Sequence, residues 1–109
     1  MPQTYSARLR EFLEDTTVYR LGKVLGAVCV KANLPASYVA VVLDVSRITI
    51  HSWFRGGTIR PRKREKVETF IKLVEEDMEK GLLPAKSLRD AKAYLGDMIG
   101  RPITLKKSD

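Results

Sequence analysis

The chain has 109 residues, 20 lysines and arginines against 13 acidic residues, a net charge of +7 and a single cysteine. That length is in the range of one domain with one buried core, read here as a single unit over 1–109, and no disulfide framework or cysteine-based zinc site is possible with one cysteine. Cys29 lies in the apolar run VLGAVCVKA and reads as a small core residue.

The longest apolar runs, 24–30 and 38–43, are far short of the ~20 residues needed to cross a bilayer, and no basic-then-apolar leader opens the sequence. The expectation is a cytoplasmic protein with no membrane association. Apolar residues recur at helical rather than alternating spacing, which predicts an all-α chain of helices joined by short turns.

In chain order, Ser6 caps a first short helix whose Leu9, Phe12 and Leu13 share a face, and Asp15-Thr16-Thr17 offers a second cap. Leu21, Leu25 and Val28 carry a helix on to about Ala32, either separate from the first or continuous with it. Asn33-Leu34-Pro35 interrupts it. The next helix starts near Pro35 at its first position, carries Val39, Ala40 and Leu43, and stops at Asp44.

Ser46 stands as the N-cap of a further helix in which Ile50 and Trp53 face inward, and Gly56-Gly57 ends it through the left-handed conformation open to glycine. After Pro61 a longer helix runs to about Lys80 on an apolar stripe of Val67, Phe70, Ile71, Val74 and Met78, with Gly81 as its stop. Leu82-Leu83-Pro84 reads as a packed connector. Ser87-Leu88-Arg89-Asp90 resembles a capping box opening a last helix, in which Leu88, Ala91, Leu95 and Met98 or Ile99 face the core; Gly100 and Pro102 close it. The final residues are expected to fray, or Ile103, Thr104 and Leu105 to form a short extended segment.

Charge is placed unevenly. From Ser46 to Lys66 there are seven cationic residues against Glu65 alone, whereas residues 67–97 hold five cationic and seven acidic ones. A local excess of this kind attracts polyanions. It adjoins two short helices separated by a turn of a few residues, the arrangement that sets a helix into the major groove of DNA. Ala40 is small enough for the second helix to cross closely, Val45 fills the space under the turn, and Arg47, Ile48, His51, Ser52 and Arg55 are left facing outward with Thr49 at the side.

The segment VAVVLDVSRITIHSWFRGGTIRP, Val39 to Pro61, resembles the helix-turn-helix of the phage-repressor and Cro family, the lambda-repressor-like (XRE-type) domains. Ala40, Leu43, Val45, Ser46, Thr49, Ile50, Trp53, Gly56 and Pro61 stand in register with the family pattern. Val39 replaces the leucine of that pattern, Asp44 the turn glycine, Phe54 a glutamate and His51 a serine, and ahead of the segment Ala36 stands where many relatives place a glutamine that holds a phosphate. The resemblance implies a five-helix DNA-binding fold with its helix-turn-helix at about 35–56, a first family helix at about Tyr19 to Ala32, a last at Arg64 to Lys80, and additional N- and C-terminal helices.

It also implies base-edge contacts from Arg47, Ile48 and Ser52, flanked by His51 and Arg55. Phosphate contacts fall on Thr58 and Arg60, helped by Arg62, Lys63 and Arg64. Arginine suits guanine through its O6 and N7 acceptors, and isoleucine suits a thymine methyl.

A transcriptional regulator, most simply a repressor, acting on double-stranded DNA as a homodimer is the resulting expectation, with no cofactor, no metal and no enzymatic activity. In the extension 82–109, Leu82, Leu83, Tyr94 and Met98 either meet a partner or cover the core. Two other functions fit the same helix pair. One is DNA packaging or recombination, in the manner of a small terminase subunit; the other is a protein-interaction module binding a polymerase or a toxin, favoured by an exposed Phe54.

Overall fold

In the computed structural model, which describes residues 21–104, the ordered elements are all helices. They are α1 over 21–32, α2 at Ala36–Leu43, α3 at Arg47–Phe54, α4 at Pro61–Glu79 and α5 at Leu88–Ile99. No strand occurs among the described residues, in keeping with the all-α expectation. The capping sites at Ser6 and Asp15-Thr16-Thr17, the face of Leu9, Phe12 and Leu13, and Leu105 lie outside them.

The helix ends are set by residues that change the backbone direction at low cost. α1 stops at Asn33, whose φ of 59° is left-handed. Leu34 then donates its N–H back to Cys29 O at 2.8 Å, satisfying a carbonyl that the helix ladder leaves without a partner. Pro35 is the N-cap of α2, with φ −63° and ψ 139°, so the helix begins one residue later than expected. Pro61 does occupy the first turn of α4, where its missing N–H is no loss, and α4 begins before the Arg64 that the resemblance implied.

Gly81 and Gly100, with φ of 83° and 73°, stop α4 and α5. Ser87 accepts the Asp90 N–H at 3.1 Å as expected of a capping box, but the return arm is displaced: the Asp90 carboxylate accepts from Lys86 N–H at 3.2 Å.

The buried side chains form one cluster. α1 supplies Leu21, Leu25, Val28 and Cys29, α2 Val39 and Leu43, α3 Ile50 and Trp53, α4 Val67, Phe70, Ile71 and Val74, and α5 Ala91 and Leu95. Two expectations for the C-terminal part need correction. Leu88 is 64 % exposed rather than in the core, because helical side chains lean toward the N-terminus and no turn lies beneath the first residue of α5. Of the connector leucines only Leu83 is buried, while Leu82 is exposed.

Ile103, in turn, is fully buried rather than frayed. The chain after Gly100 doubles back along α5, and a Cβ on Gly96 would lie 3.0 Å from Arg101 O. The linker before α5 is tied down as well: Ala85 N–H donates to Ala32 O at 2.9 Å and Asn33 Nδ2 donates to Ala85 O at 2.7 Å.

α1 meets the end of α3 through two glycines. A Cβ on Gly22 would lie 2.1 Å from Trp53 O, a distance no real contact permits, and one on Gly26 would touch the Phe54 ring at 3.2 Å. Gly22→Ala must therefore push α1 off α3, and is expected to cost about 3 kcal/mol in urea denaturation, at the upper end for an overpacked site; unchanged stability would mean that the two helices do not meet here. Burial also pushes the Cys29 thiol up to about 12. A thiol-specific reagent at about pH 8 should leave it unmodified in the folded chain and label it once the chain is unfolded in denaturant.

Candidate nucleic-acid interface

The turn between α2 and α3 is three residues long, and each has a separate task. Asp44 takes φ 58° and ψ 50°, the left-handed geometry for which glycine is the usual residue. Its N–H donates to Val41 O at 3.2 Å and that of Val45 to Ala40 O at 3.0 Å, which closes α2. Val45 is half-buried against the core, as expected. Ser46 is extended and its Oγ accepts the Thr49 N–H at 3.1 Å, the N-cap bond its position predicts.

α3 itself is only eight residues long. Ile50 and Trp53 anchor it from beneath and are buried. On the outward side Arg47, His51 and Arg55 are exposed, Ser52 is half-buried, and Ile48 is 81 % exposed between charged and polar neighbours.

The glycine pair at the end serves two different needs. Gly56, with φ 105°, is left-handed and donates to Trp53 O at 2.9 Å. Gly57 instead donates to Ser52 O at 2.8 Å, and a Cβ there would come within 2.5 Å of Ser52 Oγ. Its glycine is a matter of space, so the left-handed conformation expected of both residues applies to Gly56 alone.

Beside α3 the chain forms an open groove lined by Ile48, Ser52, Thr58, Arg60 and Lys63, together with Val45, Thr49 and Trp53. Five of the ten residues expected at the interface are thus brought together. The rest of the basic cluster disperses. Arg62 lines a different groove, with Glu65, Lys66, Leu73 and Met98. Arg64 is half-buried, and its Nε is buried with no hydrogen-bond partner. Lys63 lines the α3 groove, but its ammonium donates to Leu43 O at 3.0 Å and Asp44 O at 3.2 Å.

Two features were not legible in the sequence. Phe54, expected to present an exposed edge, is half-buried over Gly26, and the His51 ring stands edge-on to it with centroids 6.0 Å apart. The slot left by a glycine in α1 accommodates the ring that replaces the expected glutamate. Lys23, also in α1, lies across the tip of α3, where its Cε is 3.0 Å from the position of a Cβ on Gly56. No local pattern could have announced it, since the two residues are far apart in the chain.

Among the described residues, no group of three or more histidines, cysteines or carboxylates is arranged to hold a metal, and no helix is long and apolar enough to cross a membrane. No family model, curated protein or solved structure matches the chain.

The turn geometry gives a direct check. Asp44→Gly should stabilise the chain by about 1 kcal/mol by relieving the left-handed backbone, and Ser46→Ala should destabilise it by about 1 kcal/mol through loss of the cap. Urea unfolding measures both, and a destabilised Asp44→Gly would contradict the geometry of the turn.

Proposed function

We propose that the chain binds double-stranded DNA sequence-specifically, with α3 in the major groove, as a transcriptional regulator of the phage-repressor type acting as a dimer. The observation that carries this reading is the start of α4. Arg60, Pro61, Arg62, Lys63 and Arg64 place four cations around its first turn, which has no acidic residue. The amino end of a helix favours negative charge, so this arrangement works against the stability of the isolated chain. An incoming phosphate would offset part of it at Arg60, the arginine of this group that lines the groove beside α3.

The face of α3 supplies what phosphate contacts lack. Arg47 at the first exposed position suits the paired acceptors of guanine, and Ile48, with most of its surface in water, suits a thymine methyl. Ser52 lies toward the groove that holds Thr58 and Arg60, so base and backbone contacts would fall on one continuous surface. His51 and Arg55 flank it. Lys23 joins the backbone contacts from α1, while Arg62 and Arg64 add long-range attraction. The observation that favoured a protein-interaction module, an exposed Phe54, is weakened, since the ring is half-buried against Gly26.

Selection of bound sequences from a random double-stranded library, with the mass of the complex measured alongside, tests the proposal. The expected result is a palindromic consensus with half-sites about one helical turn apart, occupied by two copies. Arg47→Ala should cost about 1–3 kcal/mol and relax the preference at one base pair. Arg60→Ala and Lys23→Gln should instead weaken all sequences alike and each reduce the salt slope by about 0.9. Unchanged binding by both arginine variants would remove α3 from the interface.

A further inference from the structure

Lys63 belongs by sequence to the cluster expected to hold phosphate, yet its ammonium is already engaged. Nζ donates to Leu43 O and Asp44 O, reaching from the first turn of α4 to the end of α2. Those carbonyls belong to the last residue of α2 and to its left-handed C-cap. They lie where a helix ladder runs out of donors and where the helix dipole is negative. α2 has no basic residue in its own last turn, so α4 provides the charge that this end calls for.

We infer that Lys63 is a positioning residue: by clamping Leu43 and Asp44 to the start of α4 it fixes α3 relative to the phosphate-binding loop, and it makes no phosphate contact itself. Connectivity gives this its force. Ser46, the cap of α3, follows Asp44 by two residues, and Arg60 immediately precedes α4. A cation that joins the turn to α4 therefore sets the offset between Arg47 and Ile48 on one side and Thr58 and Arg60 on the other. A protein reading bases and backbone together needs that offset held. The clamp stands on its own geometry, while its consequence for recognition rests on the proposed DNA binding.

Lys63→Met in the full chain keeps the aliphatic stem and removes the charge and its donors. Binding is measured to the selected operator and to scrambled DNA across a salt series, at a temperature where circular dichroism shows both proteins folded. Operator affinity should fall about tenfold, the scale of one charge-assisted hydrogen bond, with scrambled DNA and the salt slope unchanged. Lys63→Arg should recover part of the loss.

A slope reduced by about 0.9, with both DNAs weakened alike, would make Lys63 a phosphate contact and overturn the inference. Unchanged operator binding would also overturn it. A wild-type chain that retains no DNA even at low salt overturns the consequence for recognition along with the DNA proposal. That failure is distinguished from failure of the clamp by the melting temperature, which Lys63→Met lowers by about 4 °C if the clamp holds and leaves unchanged if it does not.

Discussion

The structure depends on the close approach of α1 to the end of α3. An eight-residue helix has too few turns to persist in water by its own propensity, so α3 exists because something holds it. Gly22 lets the backbone of α1 come against the carbonyl of Trp53, and Gly26, one turn on, leaves the slot that the Phe54 ring occupies. With Ile50 and Trp53 buried beneath, α3 is gripped along its inner side and at its far end. Its outer side is thereby left out of the core, which is the condition for Arg47, Ile48 and His51 to be exposed. Larger residues at 22 and 26 would give α1 more apolar area and α3 no seat.

The basic stretch is one feature in the sequence and several in space. Helical geometry sends consecutive residues in different directions, so Arg62, Lys63 and Arg64 cannot share a surface. Arg62 goes to the groove beside α5, Lys63 to the end of α2, and Arg64 turns partly inward. Arg60 stays by α3 because it precedes the helix. Net charge therefore overstates how many cations a ligand on α3 could touch, though all of them contribute to the positive field around the chain. Lys23, from outside the stretch, lies at the tip of α3 because α1 packs there.

What was legible beforehand was local. Asp44 and Ser46 bound α3 in the way their side chains and backbone preferences dictate, and Pro61, Gly81 and Gly100 mark helix ends for equally local reasons. The anchors Ile50 and Trp53 followed from spacing alone. The misreadings share a different character. Phe54 looked exposed because its cover is a glycine in another helix, and Leu88 looked buried because periodicity does not report that a helix has only just begun. Gly22 and Gly26 carry no local signal of their role, since their lack of side chains matters only where another helix comes against them. The Lys63 clamp spans twenty residues and rests on the direction of one flexible side chain, which pattern does not encode.

The segment after α4 bears on how two copies could meet. Leu83, Ala85, Ala91, Leu95 and Ile103 all enter the cluster that also holds α1 and α2, and Tyr94 donates its hydroxyl to the Asp77 carboxylate on α4. A partner that took Leu83 would have to open the monomer first. Within 83–103 these residues therefore complete the core, and of the four side chains expected to meet a second copy Leu82 is exposed, Tyr94 and Met98 are half-buried and Leu83 is buried. Met98 belongs to the groove with Leu73 and the ionic rim of Arg62, Glu65 and Lys66. Association there would leave both the α3 groove and the Lys63 clamp untouched, since Arg60 and Lys63 line the other groove. Arg62 on one side, and Arg60 and Lys63 on the other, thus line different grooves, which divides the basic stretch by the side of α4 on which each residue falls.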